Sequence, residues 1–341
     1  MNTTFVVECT GEDEGLRVDQ CIVRHMPHIP RSSLKAHATR LTRDGLPVKR
    51  SARVHEGQAI AVALRVPDTV SSTAEDIPLE VIEEHPDYVV LHKPQGMVVH
   101  PGAGNFRGTL VHALAGRYRG DPFFGLDPHG SVEANRPGIV HRLDKETSGV
   151  MIVARTEENY ARLVDQFKSH AVRKEYLAVV KGVLAPAAAV VSGALARDPR
   201  NRVRFAVAGD MHLDPPAEPP TPEGARSART RYEVIAIYGK SYSLVRLFPF
   251  TGRTHQLRVH LQALGHPILG VPLYARPVRR FPDERLMLHA RRLTVTPRKG
   301  APRRTFSAPV PARFRALLAR LSSQDPVTIP RGNRDSTSAR L

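Results

Sequence analysis

The sequence contains the stretch His141-Arg142-Leu143-Asp144-Lys145-Glu146-Thr147-Ser148-Gly149, which runs directly into the apolar segment from Val150 to Ala154. The apolar segment predicts a buried strand, so Asp144 is expected on the loop that leads into it. Arginine two residues before this aspartate and lysine directly after it favour an ionised carboxylate. Such an acid is a candidate catalytic anion, although an aspartate that pairs with Arg142 to cap a turn gives the same local pattern.

Four further segments lie at the ends of predicted strands or on a predicted helix. In chain order they are Lys93–Gly102, Lys174–Ala178, Thr251–Leu261 with its continuation Gly265–Ile268, and Leu288–Ala290. Together with the stretch around Asp144 they resemble, in the same order, the motifs of the RluA-type pseudouridine synthases, a family that isomerises uridine within RNA. The segment Val98–Asn105 looks most like the subgroup of ribosomal large-subunit pseudouridine synthase D.

The resemblance implies three catalytic residues, Asp144, Tyr176 and Arg258. Asp144 would act while the glycosidic bond breaks, Arg258 would hold that carboxylate with a guanidinium fork, and Tyr176 would present a flat wall to a flipped base. Three reaction routes stay open for Asp144: addition to the sugar, addition to the ring, or assistance to an elimination. Because the reaction only rearranges bonds within uridine, we expect no cofactor and no metal.

Basic side chains supply the predicted contacts to RNA. In the catalytic region these are Arg142, Arg253 and His255, and near the N-terminus they are Arg31, Lys35, Arg40, Arg43 and Lys49. The N-terminal group lies in a segment that resembles the small RNA-binding domain shared with a ribosomal small-subunit protein. Taken singly, each of these residues is as typical of a solvated surface cation, so the prediction depends on their clustering.

Composition points to the same class of partner. The chain has 341 residues, with 50 basic and 33 acidic side chains and a formal net charge of +17, which indicates a polyanionic partner such as RNA. No apolar stretch approaches the roughly 20 residues of a spanning helix, and the N-terminal residues lack a signal-peptide pattern. Two cysteines are too few for a disulfide framework or a four-cysteine zinc site. We therefore expect a reduced, cytoplasmic, monomeric protein without a membrane partner.

The order of predicted elements indicates two domains of different size. Residues 1–65 are predicted as a small α/β RNA-binding domain of the alpha-L type, 66–77 as a flexible linker, and 78–322 as the catalytic domain. The catalytic domain is expected to be α+β with a mixed, largely antiparallel sheet. Residues 323–341 are predicted to be disordered, because they lack an apolar face.

The segment 197–231 contains five prolines between residues 215 and 222 and little apolar periodicity, so it is predicted to be a long surface loop that contacts RNA or has no function. His255 and His260 are five residues apart and would lie on different helix faces, which argues against a metal site.

Three alternatives to a synthase of ribosomal RNA remain open: a synthase of transfer RNA, a non-catalytic RNA-binding factor for ribosome assembly, and a glycosidase. The assembly factor would be expected to lack the aspartate. Most glycosidases need two carboxylates across the bond, and Glu146 lies on the same loop as Asp144.

Overall fold

The structure is a computed structural model that describes residues 2–26, 34, 38–65, 74–102, 105, 107–125, 138–201, 203–215, 219–270, 274, 281 and 285–330. These residues fall into two compact units. The first contains the residues up to 65 and a short loop segment around residue 102, and the second contains 74–100, 108–125 and the residues from 138 onward. None of the described helices has the length and apolar character needed to cross a membrane.

The first unit is built on a four-stranded antiparallel sheet. Its order is β1 (Asn2–Glu8), β4 (Ala59–Arg65), β2 (Ala38–Arg43) and β3 (Leu46–Pro47). Helix α1 (Val18–His25) contributes Val18, Cys21 and Ile22 to the core, as their spacing predicts. Strand β1 was not expected from the sequence, and the predicted second helix begins at residues outside those described.

The second unit contains a large mixed sheet. Nine strands follow the order β10-β9-β11-β12-β8-β13-β7-β6-β5, in which only β7 and β13 are parallel neighbours. They are β5 (Glu80–His85), β6 (Tyr88–Lys93), β7 (Ser148–Ala154), β8 (Arg173–Lys181), β9 (Ala188–Arg197), β10 (Phe205–Leu213), β11 (Arg226–Tyr238), β12 (Tyr242–Pro249) and β13 (Leu288–Val295), while β14 (Arg304–Ser307) pairs with β13 and β15 (Val327–Thr328) with β11. The predicted α+β class with a largely antiparallel sheet is confirmed.

Four helices pack on this sheet: α2 (Leu110–Arg117), α3 (Glu157–Lys168), α4 (Gln256–Ala263) and α5 (Ala312–Gln324). Helix α3 is capped by Thr156, whose hydroxyl accepts the Asn159 N–H at 3.2 Å. Leu163 faces the core, whereas Tyr160 is exposed. Asn159 is buried instead, since its amide donates to the carbonyls of Asp87 and Pro297.

The prediction of a long loop over 197–231 is wrong, because strand β10 (Phe205–Leu213) lies within this segment and pairs with β9. Phe205, Val207 and Met211 of this strand pack against the core cluster. A break in register between Ala208 and His212 interrupts the alternation of apolar and polar residues. Since β10 is also an edge strand with one exposed side, its sequence lacks the continuous apolar run of a central strand.

Two predicted boundaries also differ from the structure. Helix α5 continues to Gln324 and β15 follows at Val327–Thr328, so the predicted start of a disordered tail at residue 323 is too early. Strand β15 has only two residues and is held by backbone pairing to β11, so its side chains carry no pattern from which the strand could be predicted. Residues 331–341 and 66–73 lie outside the described residues. Beyond the latter, Glu75 is tied to α2, because its N–H donates to the carbonyl of His112 at 3.1 Å.

Candidate active site

Asp144 begins a tight turn immediately before β7. The backbone N–H of Thr147 donates to the Asp144 carbonyl at 3.0 Å. The next carbonyl, that of Lys145, accepts from the Gly96 N–H at 2.8 Å and from Nζ of Lys93 at 3.3 Å. These two hydrogen bonds therefore tie the segment that begins at Lys93 to the loop of Asp144, although the two motifs are distant in sequence.

Lys93 is a fully buried lysine whose partners are backbone oxygens. Its ammonium donates to the carbonyls of Pro94 at 2.9 Å and Met97 at 2.8 Å in addition to that of Lys145. Burial lowers the pKa of Lys93 to about 8, an effect that the nearby carboxylates of Asp144 and Glu146 oppose. The three carbonyl partners satisfy the buried ammonium, so Lys93 holds the loop of Asp144 in place.

Two other residues of this motif, Gly149 and Glu146, have structural roles. Gly149 pairs with Ala290 across the parallel β7–β13 contact, and an added Cβ would lie 2.3 Å from the Ala290 carbonyl oxygen. Its φ of 138° also favours glycine. Glu146 forms a bidentate pair with Arg285, whose Nη2 lies 2.8 Å from Oε2. The carboxylate of Glu146, the second acid of the motif, is therefore paired with Arg285.

Arg258 reaches Asp144 from helix α4. Its Nη1 lies 3.3 Å from Oδ2 of Asp144, although 114 residues separate the two in sequence. The Arg258 side chain is only 9% exposed, and its guanidinium lies over the Tyr274 ring at 4.9 Å from the centroid. The predicted location of Arg258 beside the cleft is consistent with this geometry, in which ring and carboxylate hold the guanidinium on two sides.

His255 is the residue that precedes α4, and it has a left-handed backbone with φ 57°. Its Nδ1 lies 2.7 Å from the Tyr274 hydroxyl, and its Nε2 lies 3.8 Å from Oδ2 of Asp144. The Tyr274 hydroxyl also accepts the Phe205 N–H at 3.0 Å, so Tyr274 links His255 to the start of β10. Burial lowers the pKa of His255, which favours the neutral imidazole beside the carboxylate.

Tyr176 and Lys174 project from β8 into the same cavity. Burial, and after it the Asp144 carboxylate, raises the pKa of the Tyr176 phenol, so this side chain keeps its proton at neutral pH. Nζ of Lys174 donates to the carbonyl of Thr251 at 3.2 Å. Burial, and after it the Arg253 guanidinium, lowers the pKa of Lys174 to about 8. The cavity therefore contains a neutral phenol and a lysine that titrates close to neutral pH.

The loop that leads into α4 is fixed by the side chain of Gln256. Its Oε1 accepts from the Thr251 hydroxyl at 2.7 Å and from the Arg253 N–H at 3.0 Å, while its amide donates to the Arg229 carbonyl. Nε of Arg253 donates to the Ser227 carbonyl at 2.9 Å. These contacts set where α4 begins, and so where Arg258 projects.

One cavity brings together most of the residues predicted from sequence. Asp144, Tyr176, Arg258, Arg142, Arg253 and His255 all line it. Arg142 is exposed at its edge. Two residues that the sequence reasoning missed, Lys174 in the cavity wall and Tyr274 behind His255 and Arg258, contribute to the site. The signal for Lys174 was its position two residues before Tyr176 on a strand, which places both side chains on one face.

The predicted RNA contacts of the first unit are only partly described. Arg31 and Lys35 lie outside the described residues. Arg40 and Lys49 are exposed, whereas Arg43 is half-buried and its Nη1 donates to the Arg53 carbonyl at 2.9 Å. Arg40 and Arg43 are three residues apart on β2 and therefore project to opposite faces of the sheet.

One group of three side chains in the described part of the chain has the donor types of a metal site. Donor atoms of Asp13, Cys21 and His25 lie within 4.8 Å of one another in the first unit. Oδ2 of Asp13 already lies 2.7 Å from Nε2 of His25 and accepts the Thr10 N–H at 2.8 Å. These hydrogen bonds describe a capped turn paired with α1.

Comparison with known proteins gives consistent matches. A family model described as RNA pseudouridylate synthase matches residues 87–263. A protein of Chloroflexus aurantiacus named "Uncharacterized RNA pseudouridine synthase" is 36% identical over 90% of this chain and 90% of its own. The ribosomal large subunit pseudouridine synthase D of Nitrosomonas europaea is 34% identical over 92% of this chain and 87% of its own. The structure of human RNA pseudouridylate synthase domain containing 4 matches with a TM-score of 0.54 and 27% identity, and covers 74% of this chain and 94% of that one.

Proposed function

The chain belongs to the RNA pseudouridylate synthase family and is an RNA pseudouridine synthase, and from that premise we propose that it isomerises uridines of large-subunit ribosomal RNA with Asp144 as its catalytic carboxylate. Several relatives that align with most of the chain, including those of Nitrosomonas europaea and Haemophilus influenzae, are named for the ribosomal large subunit. The net charge of +17 supports a large polyanionic substrate.

The observation that carries the proposal is the contact of 3.3 Å between Arg258 and Asp144 beside the partly buried Tyr176 side chain. The reaction breaks the bond between C1′ of the ribose and N1 of uracil, turns the base, and joins C1′ to C5. The hydrogen on C5 leaves and N1 gains a proton. No atom is gained or lost overall, so the proposed reaction requires no donor group and no cofactor.

Each side chain has a distinct part in this proposal. The target uridine leaves its stack and enters the cavity, at a cost of a few kcal/mol, because a stacked base is out of reach. Tyr176 supplies a flat wall with a protonated hydroxyl, which can donate to the base but cannot accept its proton. Arg258 orients the Asp144 carboxylate and balances its charge. Asp144 then acts on the sugar or on the ring, and the geometry is compatible with each of the routes open from the sequence.

Binding of the RNA backbone is assigned to Arg142 and Arg253 at the cavity and to Arg40, Arg43 and Lys49 in the first unit. Nε2 of His255 lies 3.8 Å from Oδ2 of Asp144, so its proposed part is to help position the carboxylate in addition to contacting RNA. A ribosomal RNA substrate would place the working enzyme in the cytoplasm, and a monomer suffices for this site.

A pseudouridine map of ribosomal and transfer RNA tests the proposal. Cells that lack this chain are rescued in parallel with wild type and with Asp144→Asn, which keeps the size of the side chain and removes its charge. We expect particular uridines of large-subunit RNA to lose modification and only wild type to restore them. Loss confined to transfer RNA would overturn the substrate assignment. Unchanged maps, with ribosome assembly defects that the variant repairs, would favour a binding factor.

A further inference from the structure

Two arginines of β11 lie opposite two phenylalanines at the end of β12 on the sheet face that is turned away from the cavity, with Phe248 inside β12 and Phe250 directly after its last residue. Pro249 lines the cavity, so its neighbours Phe248 and Phe250 project to the opposite side. Arg231 lies opposite Phe248 in the strand register, and Arg229 accepts the Phe250 N–H on its carbonyl at 3.0 Å. These four residues, Arg229, Arg231, Phe248 and Phe250, are called here the arginine–phenylalanine strip.

Each phenylalanine of the strip has a guanidinium over its ring. The distance from the guanidinium carbon to the ring centroid is 5.4 Å for Arg229 and Phe250, and 5.5 Å for Arg231 and Phe248. The Phe250 residue is nevertheless 47% exposed. Isolated exposed apolar residues need no explanation, but a ring held by a cation beside an open surface has the composition of a stacking platform for nucleobases.

The surroundings of the strip contain more positive than negative charge. Arg231 and Arg246 share the carboxylate of Glu233, and Arg291 and Arg292 share that of Glu175. With Arg229 this gives five arginines and two carboxylates, and 5 − 2 leaves three positive charges in excess. Burial is the main cause that lowers the pKa of Arg291, and the charges of Arg292 and Arg246 lower it further, while Glu175 opposes the change. An anion that approached this face would relieve the repulsion between these arginines.

The strip is also continuous with the catalytic cavity. Phe250 stands between Pro249 and Thr251, and both of these residues line the cavity. An RNA strand whose uridine entered the cavity would cross this rim on its way to the outer face. The nucleotide next to the target is therefore the one that meets the exposed ring.

We propose that the arginine–phenylalanine strip binds single-stranded RNA next to the target uridine, with a neighbouring base stacked on Phe250 and phosphates held by Arg229 and Arg231. This inference rests on the proposed function. It identifies a contact that selects and holds substrate and that takes no part in the chemical step. Stacking on an aromatic ring is tolerant of base identity, so the strip contributes affinity for an unpaired strand more than preference for one sequence.

The first experiment measures RNA binding and turnover with an unmodified transcript of the organism's large-subunit ribosomal RNA, labelled with tritium at C5 of uridine. Phe250→Leu keeps an apolar side chain and removes the ring. We expect it to weaken binding about tenfold, as the loss of one base–aromatic stack does, with turnover at saturating RNA unchanged. Phe250→Trp should restore binding. Ile329→Ala is the matched control, because Ile329 is 50% exposed and lies away from the strip.

A second experiment addresses the charge. Arg229→Ala should reduce the slope of log affinity against log salt concentration by about 0.7, which is the effect of one lost phosphate contact on a single strand. Arg298→Ala, which removes an exposed arginine elsewhere, should leave that slope near the wild-type value. Thermal unfolding of each variant is measured alongside, so that loss of fold is separated from loss of contact.

The outcomes separate the two proposals. If wild type releases tritium while Phe250→Leu and Arg229→Ala bind RNA as well as their controls do, the strip is not an RNA contact and the proposed function stands. If wild type releases no tritium from this transcript, the proposed substrate fails, and the binding data alone decide whether the strip contacts RNA. Weaker binding in Phe250→Leu that Phe250→Trp does not repair would contradict the stacking assignment.

Discussion

At the scale of single residues, Asp144 is flanked by two basic groups of different charge. Arg258 is a permanent cation at 3.3 Å, whereas burial lowers the pKa of His255, whose Nε2 lies 3.8 Å away. The carboxylate is therefore paired with one guanidinium and lies beside an imidazole whose neutral form burial favours. Tyr274 positions both partners, since its hydroxyl contacts His255 and its ring lies under Arg258.

Arg258→Lys tests whether the shape of the cation matters. Lysine keeps the charge but loses the planar fork and the stacking on Tyr274, so Asp144 would be held less well. We expect turnover at saturating RNA to fall at least about tenfold, which is ~1.4 kcal/mol in the barrier, while RNA affinity changes little. Single-turnover tritium release and a binding isotherm measure the two quantities. Equal turnover in the variant and wild type would contradict the orienting role of the guanidinium.

Lys174→Met tests the buried lysine through the pH dependence of stability. The folded pKa of Lys174 is about 8 and lies below its ordinary value of 10.5. The unfolded chain therefore binds more protons between these values, and this residue makes the free energy of unfolding rise with pH across that window. In Lys174→Met the slope should be smaller by up to one proton, about 1.4 kcal/mol per pH unit.

Urea unfolding at several pH values from 8 to 10 measures that slope. Lys93, whose pKa is also lowered to about 8, contributes equally to both proteins and cancels in the comparison. The exposed Lys168 at the end of α3 provides the control variant Lys168→Met. Identical slopes in Lys174→Met and wild type would show that folding does not lower the pKa of Lys174.

At the scale of elements, the parallel contact between β7 and β13 sets where the Asp144 loop lies. Gly149→Ala would place a Cβ 2.3 Å from the Ala290 carbonyl, at a φ of 138° that side chains rarely adopt. We expect a loss of unfolding free energy of more than about 3 kcal/mol or failure to fold, because backbone atoms cannot move aside cheaply. Gly45→Ala is the control. Gly45 also has a positive φ, but nothing lies within 4 Å of its added Cβ, so its expected cost is about 1 kcal/mol.

Chemical denaturation compares these two glycine variants directly. Similar small losses in both would mean that β7 and β13 separate without cost, and would remove the structural reason for glycine at this point of the motif.

The elements that sequence alone predicted are those whose own side chains carry the pattern. Strand β7 is buried throughout and was predicted from its apolar run Val150–Ala154, and α3 shows a local pattern of the same kind in its capping threonine and periodic face. Strand β10 was missed because it is an edge strand with a break in register, and β15 because it depends on backbone pairing to β11.

The residues of the candidate site also differ in whether the local sequence indicates them. Asp144, Tyr176 and Arg258 lie in recognisable motifs. The part of Tyr274 depends on contacts with His255 and Phe205, which are distant in sequence and carry no local signal.

At the scale of the whole molecule, both units carry basic side chains that are predicted to bind RNA. Arg40 and Lys49 are exposed cations of the first unit, and the cavity of the second is bordered by Arg142 and Arg253. We expect the double variant Arg40→Ala with Lys49→Ala to weaken RNA binding and to reduce the salt slope by about 0.7 for each lost phosphate contact, without changing turnover at saturation. Binding assays from low to moderate salt measure this. An unchanged slope would remove these residues from the RNA surface.

Purified protein tests most directly whether uridine is isomerised without the Asp144 carboxylate. Wild type and Asp144→Asn are incubated with large-subunit ribosomal RNA labelled with tritium at C5 of uridine, and tritium release is followed together with RNA binding. We predict that wild type releases tritium and that Asp144→Asn binds the RNA with similar affinity but releases none above background. Release by Asp144→Asn at a rate close to that of wild type would contradict the account.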